Sequence, residues 1–198
     1  MSPNITPVQT STEFPSATSV VIIGGGIVGL TAALTLAERG IPVVVLEKGR
    51  IAGEQSSRNL GWIRKTSRLA DDIPLAQAAD RLWKAMPERV GSDVGYRQAG
   101  IMFVARDQAQ MDMHENWLKG VKDQDIDSRL LSNKEISNFV PHGQSTWCGG
   151  IFTPSDGRAE PTLASSAIAK AAMAKGAIII ENCAVRKLVL TAGKVSGV

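Results

Sequence analysis

Two cysteines and two histidines in 198 residues leave little material for metal or disulfide chemistry. Cys148 and Cys183 have no metal-ligand spacing and are too few for a disulfide framework, so no metal is expected; they suit a reducing compartment. Both fall in or near expected strands and read as small buried residues. His114 sits at helical spacing beside Met111 and Leu118, the setting of a packed histidine rather than a catalytic one. His142 follows Pro141 with no acid near it in sequence and receives no role. No apolar run reaches the roughly 18 residues of a membrane-spanning helix. Met1 to Ser19 is rich in Ser, Thr and Pro and has neither a basic start nor an apolar stretch. It is not a secretory signal and is expected to be a disordered lead-in. No internal repeat is visible. The net charge is only +3, and the basic residues are scattered, which excludes a nucleic-acid footprint. What remains is an ordinary globular balance, 43% hydrophobic and 21% charged, enough for one large domain or one and a half small ones.

Against that background one stretch is highly specific. Val20 to Glu47 reads VVIIGGGIVGLTAALTLAERGIPVVVLE. Val20, Val21, Ile22 and Ile23 form a continuous apolar run, as expected for a buried parallel strand. Gly24, Gly26 and Gly29 supply the G-x-G-x-x-G spacing: a tight turn, a close approach of backbone to a pyrophosphate, and close packing of helix on strand. Ile27, Leu30, Ala33, Leu34 and Ala37 recur at helical spacing, and Gly40 suits the position just past the helix. Pro42 opens a second strand, Val43 to Leu46. Glu47 follows Gly29 by 18 positions, close to the roughly 20 expected of an acid that binds a ribose hydroxyl. The helix N-terminus offers N–H groups and a positive dipole end to phosphates. An acid at position 47 would repel a 2′-phosphate, which disfavours NADP and leaves FAD or NAD.

The order of elements afterwards separates those two. Lys48 to Gly61 is polar and glycine-containing and reads as a loop. Asp71 and Asp72 are expected to cap a helix with Pro74 in its first turn, Leu75, Ala79, Leu82 and Met86 on its apolar face, and Pro87 closing it. Tyr96 to Ala105 reads as a strand. Asp107 starts a further helix with Met111, His114, Leu118 and Val121 on one side. Ser132 and Glu135 form an S-x-x-E capping box before a short helix ended by Pro141. Trp147 to Thr153 reads as a strand. Pro161 starts a helix that Gly176 ends, with Leu163, Ala167, Ala171 and Ala174 as a small-residue face. Ile178 to Ile180, Val185 to Leu190 and Lys194 to Val198 are strand-like, with turns at Asn182 and at Ala192-Gly193. An NAD domain would keep alternating strand and helix after Glu47. Here the nucleotide-binding pattern is interrupted and returns near residue 155, which favours a flavoprotein.

With these residues in view, the chain resembles the D-amino-acid oxidase-like family of FAD-dependent oxidoreductases, relatives of glycine oxidase, sarcosine oxidase and D-amino-acid dehydrogenases. Three segments carry the resemblance: Val20 to Glu47; Glu54 to Gly61, EQSSRNLG, similar to the family's S-x-x-N-x-G loop; and Pro154 to Ala177, PSDGRAEPTLASSAIAKAAMAKGA, similar to its D-G-x-x-x-P segment and Ala-rich helix. The resemblance implies an α/β fold: a Rossmann-like FAD-binding domain interrupted by the start of an α+β substrate domain. The expected boundaries are a lead-in over 1–19, nucleotide-binding parts over 20–70 and 154–198, and a substrate-domain portion over 71–153. The resemblance also implies that Gly24, Gly26, Ile27, Val28 and Gly29 line the pyrophosphate and that Glu47 with Lys48 faces the adenosine ribose. Ser56, Ser57, Arg58, Asn59, Leu60 and Gly61 would follow the cofactor toward its flavin, and the backbone of Val185 would meet adenine. The alternatives are an ordinary polar surface loop for 56–61 and a buried strand valine for Val185. Such relatives continue for a comparable length past Val198, so the chain is expected to be an N-terminal portion that works with a missing half or a second chain.

The chemistry implied is oxidation of an amino acid or secondary amine by hydride transfer to flavin N5, with oxygen or a quinone as electron acceptor. A substrate carboxylate calls for an arginine. In most members of the resembled family that arginine lies past the length seen here, so the catalytic residues stay unassigned; within this chain Arg64, just past the flavin loop, is a weak candidate whose alternative role is a surface or structural ion pair. Trp62 and Ile63 either shape the flavin's surroundings or sit in the core. The competing readings are a non-catalytic nucleotide-binding subunit or pseudoenzyme and, further off, an NAD-dependent dehydrogenase. A cytoplasmic location is expected, with peripheral membrane association if a quinone is the acceptor.

Overall fold

The computed structural model describes residues 4–141 and 147–198. Along the chain run β1 (Val20–Ile23), α1 (Ile27–Glu38), β2 (Val43–Leu46), β3 (Trp62–Ile63), α2 (Ile73–Val90), β4 (Ile101–Ala105), α3 (Gln108–Gly120) and β5 (Arg129–Ser132). They are followed by α4 (Asn133–Phe139), β6 (Gly149–Thr153), β7 (Gly157–Arg158), α5 (Pro161–Ala174), β8 (Ile178–Ile180), β9 (Val189–Thr191) and β10 (Lys194–Gly197). These elements form two compact units: Met1–Leu60, Met86–Gly95 and Glu160–Val198; and Gly61–Ala85 with Tyr96–Ala159. The units part at 60/61 and 159/160, not at the expected 70/71 and 153/154. The reason is that Trp62 and Ile63 of β3 pair antiparallel with Arg158 and Gly157 of β7, which draws both flanks into the second unit.

The first unit is built on a parallel sheet in the order β1-β2-β8. Val20 pairs with Val43, and Val44 pairs with Ile178. All four residues of β2 are buried, as suits the central strand of a parallel sheet. β1 departs from the buried strand expected: Val20 to Ile22 are half-buried and Ile23 is 58% exposed. It lies at the edge of this sheet. α1 and α5 pack together. α1 buries Leu30, Ala33, Leu34 and Ala37, while α5 buries mostly alanine and serine beside Ile168. Each fully buried leucine contributes about 1.5–3 kcal/mol, and the alanines let the two helices approach closely. Pro161 opens α5 at its first position, where no N–H bond is lost.

Residues 4–19, expected to be disordered, instead run along this unit under hydrogen bonds. Ser11 N–H donates to Ile179 O at 2.9 Å, and Ser166 Oγ donates to Thr6 O at 2.6 Å. Past β8 the chain turns at Asn182, and the hairpin β9-β10 closes at Ala192-Gly193 with φ values of 49° and 75°. The strand expected from Val185 begins only at Val189. Cys183 is half-buried, whereas Cys148, expected to be buried, is exposed because it lies just ahead of β6 rather than within it.

The second unit carries an antiparallel sheet in the order β4-β6-β5, with Phe103 opposite Ile151 and Leu130 opposite Ile151 on its other side. The strand expected over Tyr96–Ala105 is confined to β4, with Arg97 in an isolated bridge to Arg158. α2 differs most from expectation. It is entered through a 3-10 turn, Ala70–Asp72, without a side-chain cap, and it runs through Pro87 to Val90. Pro87 falls in the last turn, and the N–H groups beyond it still find acceptors, Gly91 on Glu88 O at 3.2 Å and Ser92 on Pro87 O at 3.2 Å. Leu75 and Leu82 of the expected core face are 73% and 58% exposed. No helix among the described residues is long and apolar enough to cross a membrane.

The two expected helix starts are present. Asp107 accepts from Gln110 N–H at 2.9 Å, and Ser132 with Glu135 forms a reciprocal capping box. The Ser132 backbone N–H first, then its hydroxyl and the Arg129 guanidinium, hold the Glu135 carboxyl at a pKa of about 2. An unfolded glutamate titrates near about 4.3. The depressed folded value means the box contributes fully above that pH and is lost as pH falls toward about 2. A Glu135 carboxyl resonance that titrates by NMR below pH 3 is the expected result; one that titrates above pH 4 contradicts it.

Candidate functional site

The turn after β1 is shaped by its glycines. Gly24 has φ +107°, a conformation that side chains rarely adopt, and its N–H donates to Leu46 O at 2.9 Å. A Cβ on Gly29 would lie 2.1 Å from Gly24 O, so α1 seats against the turn only because Gly29 has none. Gly26 is the N-cap of α1 and brings no side chain to it. Val28, in the first turn, is 81% exposed.

Two side chains brace this turn. The Glu47 carboxylate, at the end of β2, accepts from Gly25 N–H at 2.7 Å and from Gly49 N–H at 2.8 Å, and the residue is only 8% exposed. Ser56, in a single 3-10 turn over Gln55–Ser57, accepts from Ile27 N–H at 2.9 Å through Oγ. A strand-distant acid that sequence reading missed secures the loop between them: Glu181 accepts from Ile51 N–H at 2.7 Å. Its signal was faint, a lone glutamate directly after β8.

The remaining expected residues scatter. Ser57 is buried and donates to Glu54 O at 3.3 Å. Lys48 and Arg58 both pair with Glu54 at 3.5 Å at the surface. Asn59 Nδ2 donates to Gln55 O at 3.0 Å, and Leu60 is 69% exposed. Gly61 belongs to the second unit, where its carbonyl accepts from Ala159 N–H at 2.9 Å. Val185 packs with Cys183 on the buried Val44, Leu46 and Ile180 and lines a cavity of about 600 Å³ under the β9-β10 hairpin.

The second unit holds a cavity of about 360 Å³ lined by Trp62, Ile63, Arg64, Arg68, Leu75 and Trp83, among others. The Arg64 guanidinium lies 5.5 Å from the centre of the Phe103 ring and donates to Thr66 O. Burial first, and then the charge of Arg68, press its pKa down, while Asp156 pulls it back. Arg64 and Arg68 line this cavity together with one acid, Asp72, so the balance of charge there is positive. Behind Arg64 lies a buried polar cluster that sequence reading did not assign. Lys65 Nζ sits 3.2 Å from Asp80 Oδ2 and 3.1 Å from Asp156 Oδ1. Tyr96 O–H donates to Asp80 at 3.1 Å. Burial raises the pKa of Tyr96, with Asp80 adding to the shift. Burial alone would raise that of Asp80, but Lys84 and Lys65 outweigh it and the net shift is down. His114 is neither in this cluster nor partnered at Nε2 among the described residues, and burial lowers its pKa, as befits a packed neutral imidazole. His142 lies outside the described residues.

The profile of the FAD dependent oxidoreductase (DAO) family matches residues 19–198, nearly the whole chain. The chain belongs to this family. Mouse mitochondrial sarcosine dehydrogenase is 29% identical over 186 residues, covering 92% of this chain and 20% of that protein. The sarcosine oxidase subunit beta of an Arthrobacter species is 29% identical over 187 residues, 90% of this chain and 46% of that one. Among solved structures, L-amino acid deaminase from Proteus myxofaciens, in complex with anthranilate, superposes with a TM-score of 0.91 at 34% identity over 98% of this chain and 45% of that one. The chain thus spans between a fifth and a half of the length of these relatives. The family's FAD fits the first unit on the structure's own terms. Gly26, the N-cap of α1, brings no side chain of its own; Ser56 Oγ takes the Ile27 N–H there, and the first turn at Val28 is exposed.

Proposed function

We propose that the chain is the FAD-holding portion of an oxidoreductase acting on an amino acid or secondary amine. The observation that carries this reading is the α1 N-terminus, seated on Gly24 by the missing Gly29 Cβ and capped by a glycine that brings no side chain of its own. Gly24, Gly26, Ile27, Val28 and Gly29 hold the phosphates. Glu47 serves twice: it keeps the turn in shape through Gly25 and Gly49, and its remaining lone pairs accept from the adenosine ribose, with Lys48 alongside. Ser56 holds the loop against the helix start, so that Ser57, Arg58, Asn59, Leu60 and Gly61 continue along the cofactor, and the Val185 backbone meets adenine. When bound, FAD supplies the two-electron acceptor, taking hydride at N5 from the substrate's α-carbon.

Arg64 grips the substrate carboxylate from the cavity of the second unit, a planar fork matching a planar anion. Trp62, Trp83 and Leu75 give the cavity apolar walls beside that arginine. The deaminase that resembles this chain was solved with anthranilate, itself an aromatic carboxylate. The electron acceptor would be oxygen or a quinone.

The test is reconstitution. Purified chain mixed with FAD and gel-filtered is expected to keep a flavin spectrum, which bleaches when an amino acid substrate is added without air. A colourless protein overturns flavin retention by this portion. Glu47→Gln places an amide N–H₂ where a carboxylate accepted, which costs about 1.5–3 kcal/mol and weakens FAD tenfold to hundredfold by calorimetry. Unchanged affinity removes Glu47 from the ribose site.

A further inference from the structure

The buried cluster behind Arg64 has no part in the reading above, yet it holds the two residues that directly follow that arginine. Asp156 is fully buried. Its Oδ1 accepts from Lys65 N–H at 2.8 Å and its Oδ2 from Thr66 N–H at 3.2 Å, so one carboxylate clamps two successive peptide groups. Thr66 Oγ1 lies 2.5 Å from both Asp156 Oδ2 and Thr153 Oγ1. Ser128 Oγ lies 2.6 Å from Thr153 Oγ1 in turn. A hydroxyl has one proton to give and a carboxylate can only accept. Thr66 Oγ1 is placed to donate to Asp156 Oδ2 or to Thr153 Oγ1, and between Thr153 and Ser128 either hydroxyl can be the donor. The three hydroxyls form one connected chain ending on a charge. Lys65 Nζ adds ion pairs to Asp156 and Asp80 and a hydrogen bond to Ser155 O at 3.3 Å, so its charge is compensated inside the unit.

The carbonyl of the same Thr66 receives the Arg64 guanidinium. Phe103 supports that guanidinium from one face. We propose that Asp156 and Thr66 are positioning residues for Arg64: the carboxylate fixes Thr66 through both its N–H and its hydroxyl, and the Thr66 carbonyl fixes the direction of the guanidinium at the cavity. This rests on Arg64 as the carboxylate-binding group. Its physical sense is preorganisation. A free arginine side chain loses rotamer freedom on gripping an anion, whereas one already tethered at Thr66 loses less.

The test separates this idea from the one it rests on and needs no flavin. Benzoate is titrated into the 198-residue chain by calorimetry, with benzamide as the neutral shape control. The expected wild-type result is benzoate binding well above benzamide. Arg64→Met is expected to reduce benzoate to the benzamide level. Thr66→Val keeps the shape of the side chain, leaves the Lys65 ion pairs intact and removes only the hydroxyl. It is expected to weaken benzoate about fivefold to tenfold without changing benzamide. In the Arg64→Met background the same change is expected to do nothing, because a positioning residue has nothing left to position. Thr66→Ser, which restores the hydroxyl, is expected to recover most of the binding. If Arg64→Met leaves benzoate affinity unchanged, or the wild type does not prefer benzoate, Arg64 is not the carboxylate group and both ideas fall. If Arg64→Met weakens benzoate but Thr66→Val does not, or acts equally with and without Arg64, the positioning role alone falls.

Discussion

Replacing Gly29 by alanine is expected to abolish retention of FAD and to destabilise the first unit by about 3 kcal/mol, the upper end for an overpacked site. The new Cβ would stand 2.1 Å from the Gly24 carbonyl oxygen and 3.1 Å from Ile22 Cγ2. The nearest atom belongs to backbone, and Gly24 is held from its far side by Leu46. No side chain can swing away, so α1 must lift off the turn. Lifting it withdraws the N–H groups meant for the phosphates, and losing two such charge-assisted bonds costs about 1.5–3 kcal/mol each, a hundredfold or more in affinity. Gly40→Ala is the control. Gly40 has φ +71° but nothing lies within 4 Å of an added Cβ, so only local strain results and FAD binding persists. Thermal melting and a flavin titration of both variants read the difference. A Gly29→Ala chain that binds FAD like the wild type would disprove the seating argument.

Asp156→Ala is expected to be the most damaging single change in the second unit, by about 3–5 kcal/mol in a urea titration. It leaves two buried peptide N–H groups without their acceptor and strips Lys65 of one of its two counter-charges. Arg129→Ala breaks an ion pair whose members are 49% and 44% exposed, and is expected to cost under about 1 kcal/mol. The contrast is the point: both remove a charged hydrogen-bonding partner, but water can replace only the second. A loss below about 1 kcal/mol for Asp156→Ala would mean that water reaches the cluster.

The nucleotide-binding half was legible because its signals are local. Val20 to Glu47 states a strand, a turn, a helix and a strand within a few residues of one another, and each glycine acts on a neighbour in the chain. Pro161 and the Ser132–Glu135 box were legible for the same reason. The Lys65–Asp156 cluster was not, since its members are about ninety positions apart and each looks like an ordinary surface charge or hydroxyl. Asp156 stood inside a segment that carried the family resemblance, yet nothing local says what it holds. β3 and β7 escaped notice because two-residue strands have no period to read. α2 was misjudged because Leu75 and Leu82 fit a helical stripe equally well whether a neighbour covers it or not.

The pairing of Val44 with Ile178 has a kinetic meaning. On a ribosome adding about 5–20 residues per second, the first two strands would wait roughly seven to twenty-six seconds before β8 is made. Meanwhile β2, destined to be the most enclosed strand of the first unit, has one flank unpaired. The second unit has its own sheet and is synthesised wholly within that interval, so it is free to form first. Nascent chains of this kind are the ones that chaperones shield, and a slowed or stalled translation between Leu46 and Ile178 would lengthen the window in which that flank can pair with the wrong partner.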